Sequence, residues 1–411
     1  MKHYVFIESN TTGTGRLAVE RLVREGHQVT FVTRTPAKYP FLSTPPANLR
    51  VVEAETNDQA QLEAVLDRLA AEGPPTAVLS FSTYYIESAA RLARRLGLRS
   101  IDPEAARQCH HKFLGRQALR RAGAPTPPFW LVGTQEEVDA LKGSVTFPCV
   151  VKPPSDSGSI GVRRVDSLEA LRDQVAALAQ RATNDRGQAL DGRVLVEGYL
   201  RGPEFSVEVF TLARGQHHVF GVTQKHLSPE PHFVEVGHDF PAPLPEAQRR
   251  ALVTATTQGL DAVGLDFGFS HTEARLTDAG AVIIEINPRL AGGMIPELVG
   301  YSTGLDVLGL MFAGLEGAPA QLEPLRSDVA SIRFLLAEQR GTLQGVDGLE
   351  AARAVPGIKL IEVDKKLGSS VRPPESSSDR IGYVIAAGRE RADVERALAE
   401  ARRQLRLRIA P

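Results

Sequence analysis

Cysteine is almost missing from this chain: two residues in 411, Cys109 and Cys149, with no CxxC spacing and no histidine-rich tract. A disulfide framework is excluded, and nothing suggests a zinc site. An excess of one charge is missing too. Lys and Arg total 48 against 49 Asp and Glu, a balance that gives no support for binding nucleic acid or an anionic membrane. No apolar run reaches membrane-spanning length. The opening Met1-Lys-His-Tyr-Val-Phe-Ile-Glu8 turns polar after four apolar residues, which reads as a first strand and not a signal peptide. A reducing cytoplasm is the expected setting. What remains is an ordinary globular composition, 42% hydrophobic and 24% charged, long enough for two or three domains.

Residues 1–104 alternate short apolar strands (Tyr4–Ile7, Gln28–Thr33, Val51–Glu53, Ala77–Phe81) with helical patterns near Gly15–Glu25, Gln59–Ala71 and Ile86–Leu96. This βαβ rhythm predicts a doubly wound parallel sheet. A helical stretch runs from Asp102-Pro103 to about Arg121, followed by the linker-like Gly123-Ala-Pro-Thr-Pro-Pro128. Hairpins and mixed elements from 129 to about 315 predict an α+β region that ends in a helix at Leu305–Leu315. The proline-bearing segment 316–328 marks a second boundary. Beyond it come strands at Ser331–Leu336, Ile358–Val363 and Gly382–Ala387, then a basic amphipathic helix, Arg391–Leu407, with a solvated charged face.

The most informative stretch is His271-Thr-Glu-Ala-Arg-Leu-Thr-Asp-Ala-Gly-Ala-Val-Ile-Ile-Glu-Ile-Asn-Pro-Arg289. It reads as a hairpin turning at Asp278-Ala-Gly280. A turn centred on Ala279 sets Glu273 opposite Glu285, with Asn287 and Arg289 following on the same face. Two like charges in a cross-strand pair are unfavourable unless a cation joins them. Two carboxylates and an amide suit magnesium held jointly with nucleotide phosphates.

Four other segments carry chemistry. Phe147-Pro-Cys-Val-Val-Lys-Pro-Pro-Ser-Asp-Ser-Gly-Ser-Ile-Gly-Val162 delivers Lys152 from an apolar strand into a Ser/Gly loop, 155–161, that contains Ser157 and Ser159. A lysine beside so many free backbone N–H groups has the composition of a phosphate cradle. Glu197 and Glu204 flank the turn Arg201-Gly-Pro203, where carboxylates can accept hydrogen bonds from an adenine amine or ribose hydroxyls. Lys225 to Pro241 packs one lysine, three histidines and two glutamates into a loop-like segment, and His238 is its active-site candidate. Thr12-Gly-Thr-Gly-Arg-Leu-Ala18 fits the GxGxxA dinucleotide fingerprint, with Thr33-Arg34 where an acid is expected; it reads either as an NADP loop or as a tight structural turn.

Taken in order, these segments resemble the ATP-grasp superfamily of carboxylate–amine ligases over most of the chain. A first lysine, Lys112 in a helical stretch, precedes Lys152, the Glu197–Glu204 hinge and the Glu273…Glu285-Ile-Asn287-Pro-Arg289 hairpin. Lys225…His238…Pro241 and Asn287-Pro-Arg-Leu-Ala-Gly-Gly293 are similar, more closely, to L-amino acid ligases that make dipeptides. The resemblance implies an ATP-grasp fold of α/β and α+β parts. An N-terminal doubly wound domain would occupy 1–104, a nucleotide and metal domain 105–318 with a lid at about 129–200, and a closing α+β domain 319–411. It implies that Lys112 and Lys152 contact phosphates, with Ser157, Ser159 and Lys225 also in the nucleotide site. Glu197 and the backbone through Leu200 would hold adenine, Glu204 ribose, and Glu273, Glu285 and Asn287 magnesium, or manganese in its place. Arg289, Lys152 and His238 would be catalytic. The substrates would be amino acids joined through an acyl phosphate with release of ADP; a homodimer stays open. The C-terminal Ile381-Gly-Tyr-Val-Ile-Ala-Ala-Gly388 also resembles carboxylase-type members, so a bicarbonate-using reaction is the alternative. An NADP-binding oxidoreductase or a nucleotide-binding regulatory protein represents a different class.

Overall fold

The structure is a computed structural model that describes all residues except 12, 230–233 and 320. Near the N-terminus four parallel strands lie in the order Leu49–Glu53, Gln28–Thr33, His3–Ile7, Ala77–Leu79. The first strand is apolar on both sides because both sides are covered. Tyr4 and Phe6 join one core cluster, Val5 and Ile7 another, as a sheet with helices on its two faces requires.

The helical stretch expected from 102 to 121 is two helices, Pro103–His110 and Lys112–Arg121. His111 breaks it at φ −88°, ψ 95°. The break frees the Lys112 backbone N–H to bond Pro154 O at 2.8 Å, which ties the second helix to the Ser/Gly loop. Lys112 therefore opens a helix instead of lying within one.

Four antiparallel strands form a separate sheet in the order Phe129–Val132, Val194–Gly198, Cys149–Lys152, Arg163–Val165. The largest sheet has eight antiparallel strands: Gly280–Asn287, Gly268–Thr277, Glu204–Ala213, Gln216–Leu227, Glu235–Phe240, Val329–Leu335, Gly382–Gly388 and Ile358–Val363. Strands before and after the proline-bearing segment 316–328 thus share one sheet, joined where Glu235–Phe240 pairs with Val329–Leu335. A three-stranded sheet of Ser370–Val371, Gly341–Asp347 and Arg406–Ala410 completes the fold.

Two expectations need correction. The Lys225–Pro241 segment is mostly a hairpin, not a loop, with Lys225 paired to His238; its residues 230–233 lie outside the described residues, as does Thr12 of the glycine loop. The final helix, Arg391–Gln404, stops before Leu407, and Leu405 at ψ 131° turns the chain into the last strand. No single helix among the described residues is long and apolar enough to cross a membrane.

Candidate nucleotide and metal site

Glu273 and Glu285 are cross-strand partners, by a route the sequence does not announce. Thr277 pairs with Gly280, so the turn has two residues, Asp278 and Ala279. That register alone would set Glu273 against Ile284. A bulge between Glu273 and Ala274 inserts Ile284 as an extra residue and restores the acid pair. The bulge also turns Ile284 and Glu285 toward the same cavity, while Ile283 and Ile286 pack into the core behind them. The freed Ile284 carbonyl accepts a hydrogen bond from Arg116 at 2.5 Å. The strand ends at Asn287, so Arg289 reaches the site through a turn (its N–H bonds Asn287 O at 2.9 Å) and not by strand alternation.

A cavity of about 440 Å³ lies between the four-stranded antiparallel sheet and the eight-stranded sheet, and every expected site residue lines it except His238. Its charges are interlocked. Glu197 accepts from Arg116 at 2.6 Å and Lys152 at 2.7 Å, all three side chains nearly inaccessible. Lys225 bridges Glu204, Glu235 and Glu273 at 2.9, 2.7 and 3.1 Å. Lys112 reaches Glu285 at 3.3 Å and donates to Asp156 O at 2.5 Å. His271 joins Glu208 to Glu273, at 3.0 and 3.2 Å. The like-charge penalty expected for the Glu273–Glu285 pair is thus offset by two lysines and a histidine.

Burial and these partners set the protonation states. Burial works against the Glu197 carboxylate, but Arg116 and Lys152 outweigh it and bring its pKa to about 2. Lys152 moves the other way: burial lowers its pKa, and one carboxylate shared with Arg116 does not fully compensate. Burial disfavours charge on Lys225 as well, yet three acids hold it well above its ordinary value. His271 rises to about 9 because Glu208 and Glu273 overcome its burial, so it carries charge at neutrality. His238 is the opposite case. It is wholly buried and both ring nitrogens lack hydrogen-bond partners. Burial takes its pKa down to about 3 against the pull of Glu235, whose Oε2 lies 3.7 Å away. It stands behind Gly293, where an added Cβ would come within 2.7 Å of its Nε2. It is a neutral imidazole one layer back from the cavity.

The Ser/Gly loop is fastened down. Asp156, 3% exposed, accepts from the Tyr84 hydroxyl at 2.5 Å and from Arg181 at 2.8 Å. The loop carrying Ser157 and Ser159 is thereby pinned against the N-terminal sheet's end. Sequence reasoning missed Asp156, Arg116, Tyr84 and Arg380, another cavity-lining residue. The only trace of Asp156 was an acid inside an otherwise Ser/Gly run.

The two acids and Asn287 form a hard-oxygen face, 3% exposed at Asn287, and so fit a magnesium or manganese ion. Among the described residues no group of three or more His, Cys, Asp or Glu is set to hold a metal. The remaining ligands of such an ion would be phosphate oxygens and water, as is usual for magnesium at nucleotide sites. In the glycine loop, Gly13 has φ 65°, a backbone conformation that favours glycine, and a Cβ on Gly15 would meet Ser9 Oγ at 2.4 Å, so close packing favours glycine there too. Beside it, Arg186 donates to Ser9 O and the Tyr39 hydroxyl at 3.2 and 3.1 Å.

Comparisons with known proteins follow the same division. A family model described as an ATP-grasp domain matches residues 145–297, one described as L-amino acid ligase C-terminal domain 2 matches 333–410, and one described as NAD(P)H-binding matches 11–71. Protein y4rH of Sinorhizobium fredii is 29% identical over the whole chain and 84% of its own length. Carnosine synthase 1 of Gallus gallus is 29% identical over 304 residues, 70% of this chain; the chain spans only 33% of that relative. The crystal structure of an L-amino acid ligase from Bacillus licheniformis superposes over 100% of this chain and 99% of that one, with a TM-score of 0.83 and 24% identity.

Proposed function

From the premise that the chain belongs to the ATP-grasp superfamily, as an ADP-forming ligase related to the L-amino acid ligases, we propose that it joins two amino acids through an acyl phosphate. The observation that carries this reading is the convergence in one cavity of Lys112 and Lys152, the Glu273–Glu285–Asn287 face and Arg289. The match of residues 333–410 to an L-amino acid ligase domain supports amino acids as substrates.

A carboxylate is a poor electrophile, and transfer of the γ-phosphoryl of ATP to it supplies a leaving group. Lys112 and Lys152 meet the phosphates. Exchanging its share of Glu197 for a phosphate gives Lys152 the charge partner that it only half has. With the Glu197 carboxylate held by Arg116, the base falls to the main chain of Gly198–Leu200. Glu273, Glu285 and Asn287 would hold a magnesium or manganese ion, which when bound would supply positive charge against the phosphates. Arg289 is held by hydrogen bonds to Thr83 Oγ1 and Leu290 O, both 2.9 Å, and stabilises the charge that builds on the reacting carboxylate. An amine then attacks the acyl carbon, Gly292 and Gly293 offer N–H groups to the oxyanion, and the intermediate collapses with cleavage of the acyl C–O bond, releasing phosphate and a proton and leaving the amide. Neutral His238 stands behind Gly293, outside the cavity lining, so its place is to back that stretch of main chain and not to touch substrate or supply a positive charge. The loop pinned through Asp156 keeps out water that would hydrolyse the acyl phosphate.

Phosphate release from ATP and magnesium, measured with pooled amino acids and separately with bicarbonate, tests the reading. Amino-acid-dependent release with a dipeptide mass in the product supports it. Release that depends on bicarbonate alone, or no release, sinks it.

A further inference from the structure

Joining two amino acids consumes one carboxylate and leaves the other as a free anion in the product. An anion buried without a partner is expensive, so the cavity needs a second carboxylate-binding cation besides Arg289. Most of its cations are committed elsewhere. Arg116 and Lys152 share Glu197, Lys112 holds Glu285, and Lys225 spans three acids. Arg275 donates to Glu204 and to Leu200 O, at the end proposed for the nucleotide. Arg380 remains.

We propose that Arg380, with Ser377 beside it, binds the free α-carboxylate of the acceptor amino acid. This rests on the ligase reading above and deepens it. Both residues line the cavity. The Arg380 guanidinium lies 3.8 Å above the centroid of the Phe334 ring. It donates to Glu235 Oε2 at 2.8 Å and to the Glu235 carbonyl at 3.0 and 3.3 Å. These contacts fix the plane of the fork, with the side chain 14% exposed. Its Nη1 has no hydrogen-bond partner among the described residues, so one arm of a preoriented donor is left over. A guanidinium arm held in a fixed plane on an aromatic face gives a charge-assisted donor to a carboxylate oxygen, and the Ser377 hydroxyl supplies a second donor. Ser377 sits on a turn braced by Asp379, which accepts from the N–H groups of Glu375 and Ser376 at 3.0 and 2.9 Å. The hydroxyl is therefore presented by a fixed backbone. The site draws on two parts of the chain that share the eight-stranded sheet: Glu235 comes from a strand before the 316–328 segment, and Arg380 from just ahead of the strand Gly382–Gly388, with only Val329–Leu335 between them in the sheet. It sits next to the reacting end of the cavity, because Glu235 also neighbours His238, and His238 backs Gly293.

The test separates the two half-reactions. Donor activation is followed by trapping the acyl phosphate with hydroxylamine, without acceptor. Acceptor use is followed as dipeptide formed with an amino acid and with its C-terminal amide, which keeps the amine and loses the carboxylate. Wild type should prefer the acid by about a hundredfold or more in kcat/KM, since a site built around a polar group rejects the analogue lacking it. Arg380→Met should lose that preference to within about threefold, and its acceptor kcat/KM should fall at least tenfold more than its hydroxamate yield. Arg380→Lys should recover part of the preference. If wild type takes amides as well as acids, or if Arg380→Met discriminates like wild type, the carboxylate site is overturned while the ligase reading stands. If wild type gives no hydroxamate with any amino acid, both fall. The wild-type comparison of acid with amide decides even if Arg380→Met does not fold.

Discussion

Glu197→Gln isolates the buried charge cluster at the centre of the site. Glutamine approximates the protonated acid, so the pKa displacement measures the loss. The carboxyl falls from 4.5 to about 2, and at about 1.4 kcal/mol per pH unit that is worth roughly 3 kcal/mol at pH 7. A second route agrees: breaking one partner out of a buried ion cluster costs about 3–5 kcal/mol, and the Arg116, Lys152 and Glu197 side chains are each 4–5% exposed. The sign follows from linkage. A depressed carboxyl contributes stability that is present above its unfolded value of about 4.5 and is lost as pH falls through 2. The assay is built into the chain. Its single tryptophan, Trp130, pairs with Val196 on the strand that carries Glu197, so tryptophan fluorescence follows unfolding of their sheet directly. Urea titrations at pH 7 should show the variant about 3 kcal/mol less stable, and the gap should narrow from pH 4.5 downward. A loss under about 1 kcal/mol at pH 7, or a gap unchanged by acid, would refute the cluster as drawn.

Glu285→Ala should abolish turnover at saturating magnesium; because Lys112 already pairs with Glu285, removing the acid should lower the metal-free melting temperature slightly instead of raising it, by on the order of 1 kcal/mol of stability. Retained turnover would defeat the metal face. Arg289→Ala should cost about a hundredfold in turnover, the scale of one lost oxyanion donor, with ATP affinity nearly intact by calorimetry; a rate within about threefold of wild type argues for a purely structural arginine. His238→Leu tests the neutral histidine by pH. A histidine lowered from 6.5 to about 3 destabilises the fold progressively as pH falls below 6.5, by up to about 1.4 kcal/mol per pH unit. Between pH 6.5 and 5, above the ordinary carboxylate range, stability of the leucine variant should fall less steeply than wild type, and parallel curves would contradict a buried neutral imidazole.

How much of this was legible follows from what each signal depends on. Strand and helix positions in the first hundred residues came through because covered parallel strands are continuously apolar and their boundaries carry turn residues. The Glu273–Glu285 pair was legible because period-two alternation survives on either side of a turn. It was legible partly by compensation: a turn shorter by one residue and a bulge of one residue cancel, and the register at the acids is the same as if neither existed. Counting along the chain cannot see two offsetting irregularities. It would have failed had only one been present: the short turn alone sets Ile284 opposite Glu273, and the bulge alone sets Ile286 there.

The residues that were missed share one property: their chemistry is assigned by partners from distant parts of the chain. Arg116 looks like one more basic residue of an amphipathic helix until Glu197 and the Ile284 carbonyl meet it. Asp156 is a polar residue in a polar loop until Tyr84, Arg181 and Lys112 close on it. Lys225 was read in a loop, and its role as the hub of three acids depends on its being on a strand opposite His238. Sequence spacing locates donors and acceptors that act toward a ligand, because the ligand imposes a common order on them. It does not locate the counter-charges that hold those groups ionised in a dry cavity, since any element that packs nearby can supply one. That is also why the cavity is over-determined. With Lys152 less basic than usual and Lys225 more so, two lysines of similar sequence context are tuned in opposite directions: one sits between Glu197 and competing cations, the other among three carboxylates. The lysine short of negative charge is the one with most to gain from a phosphate.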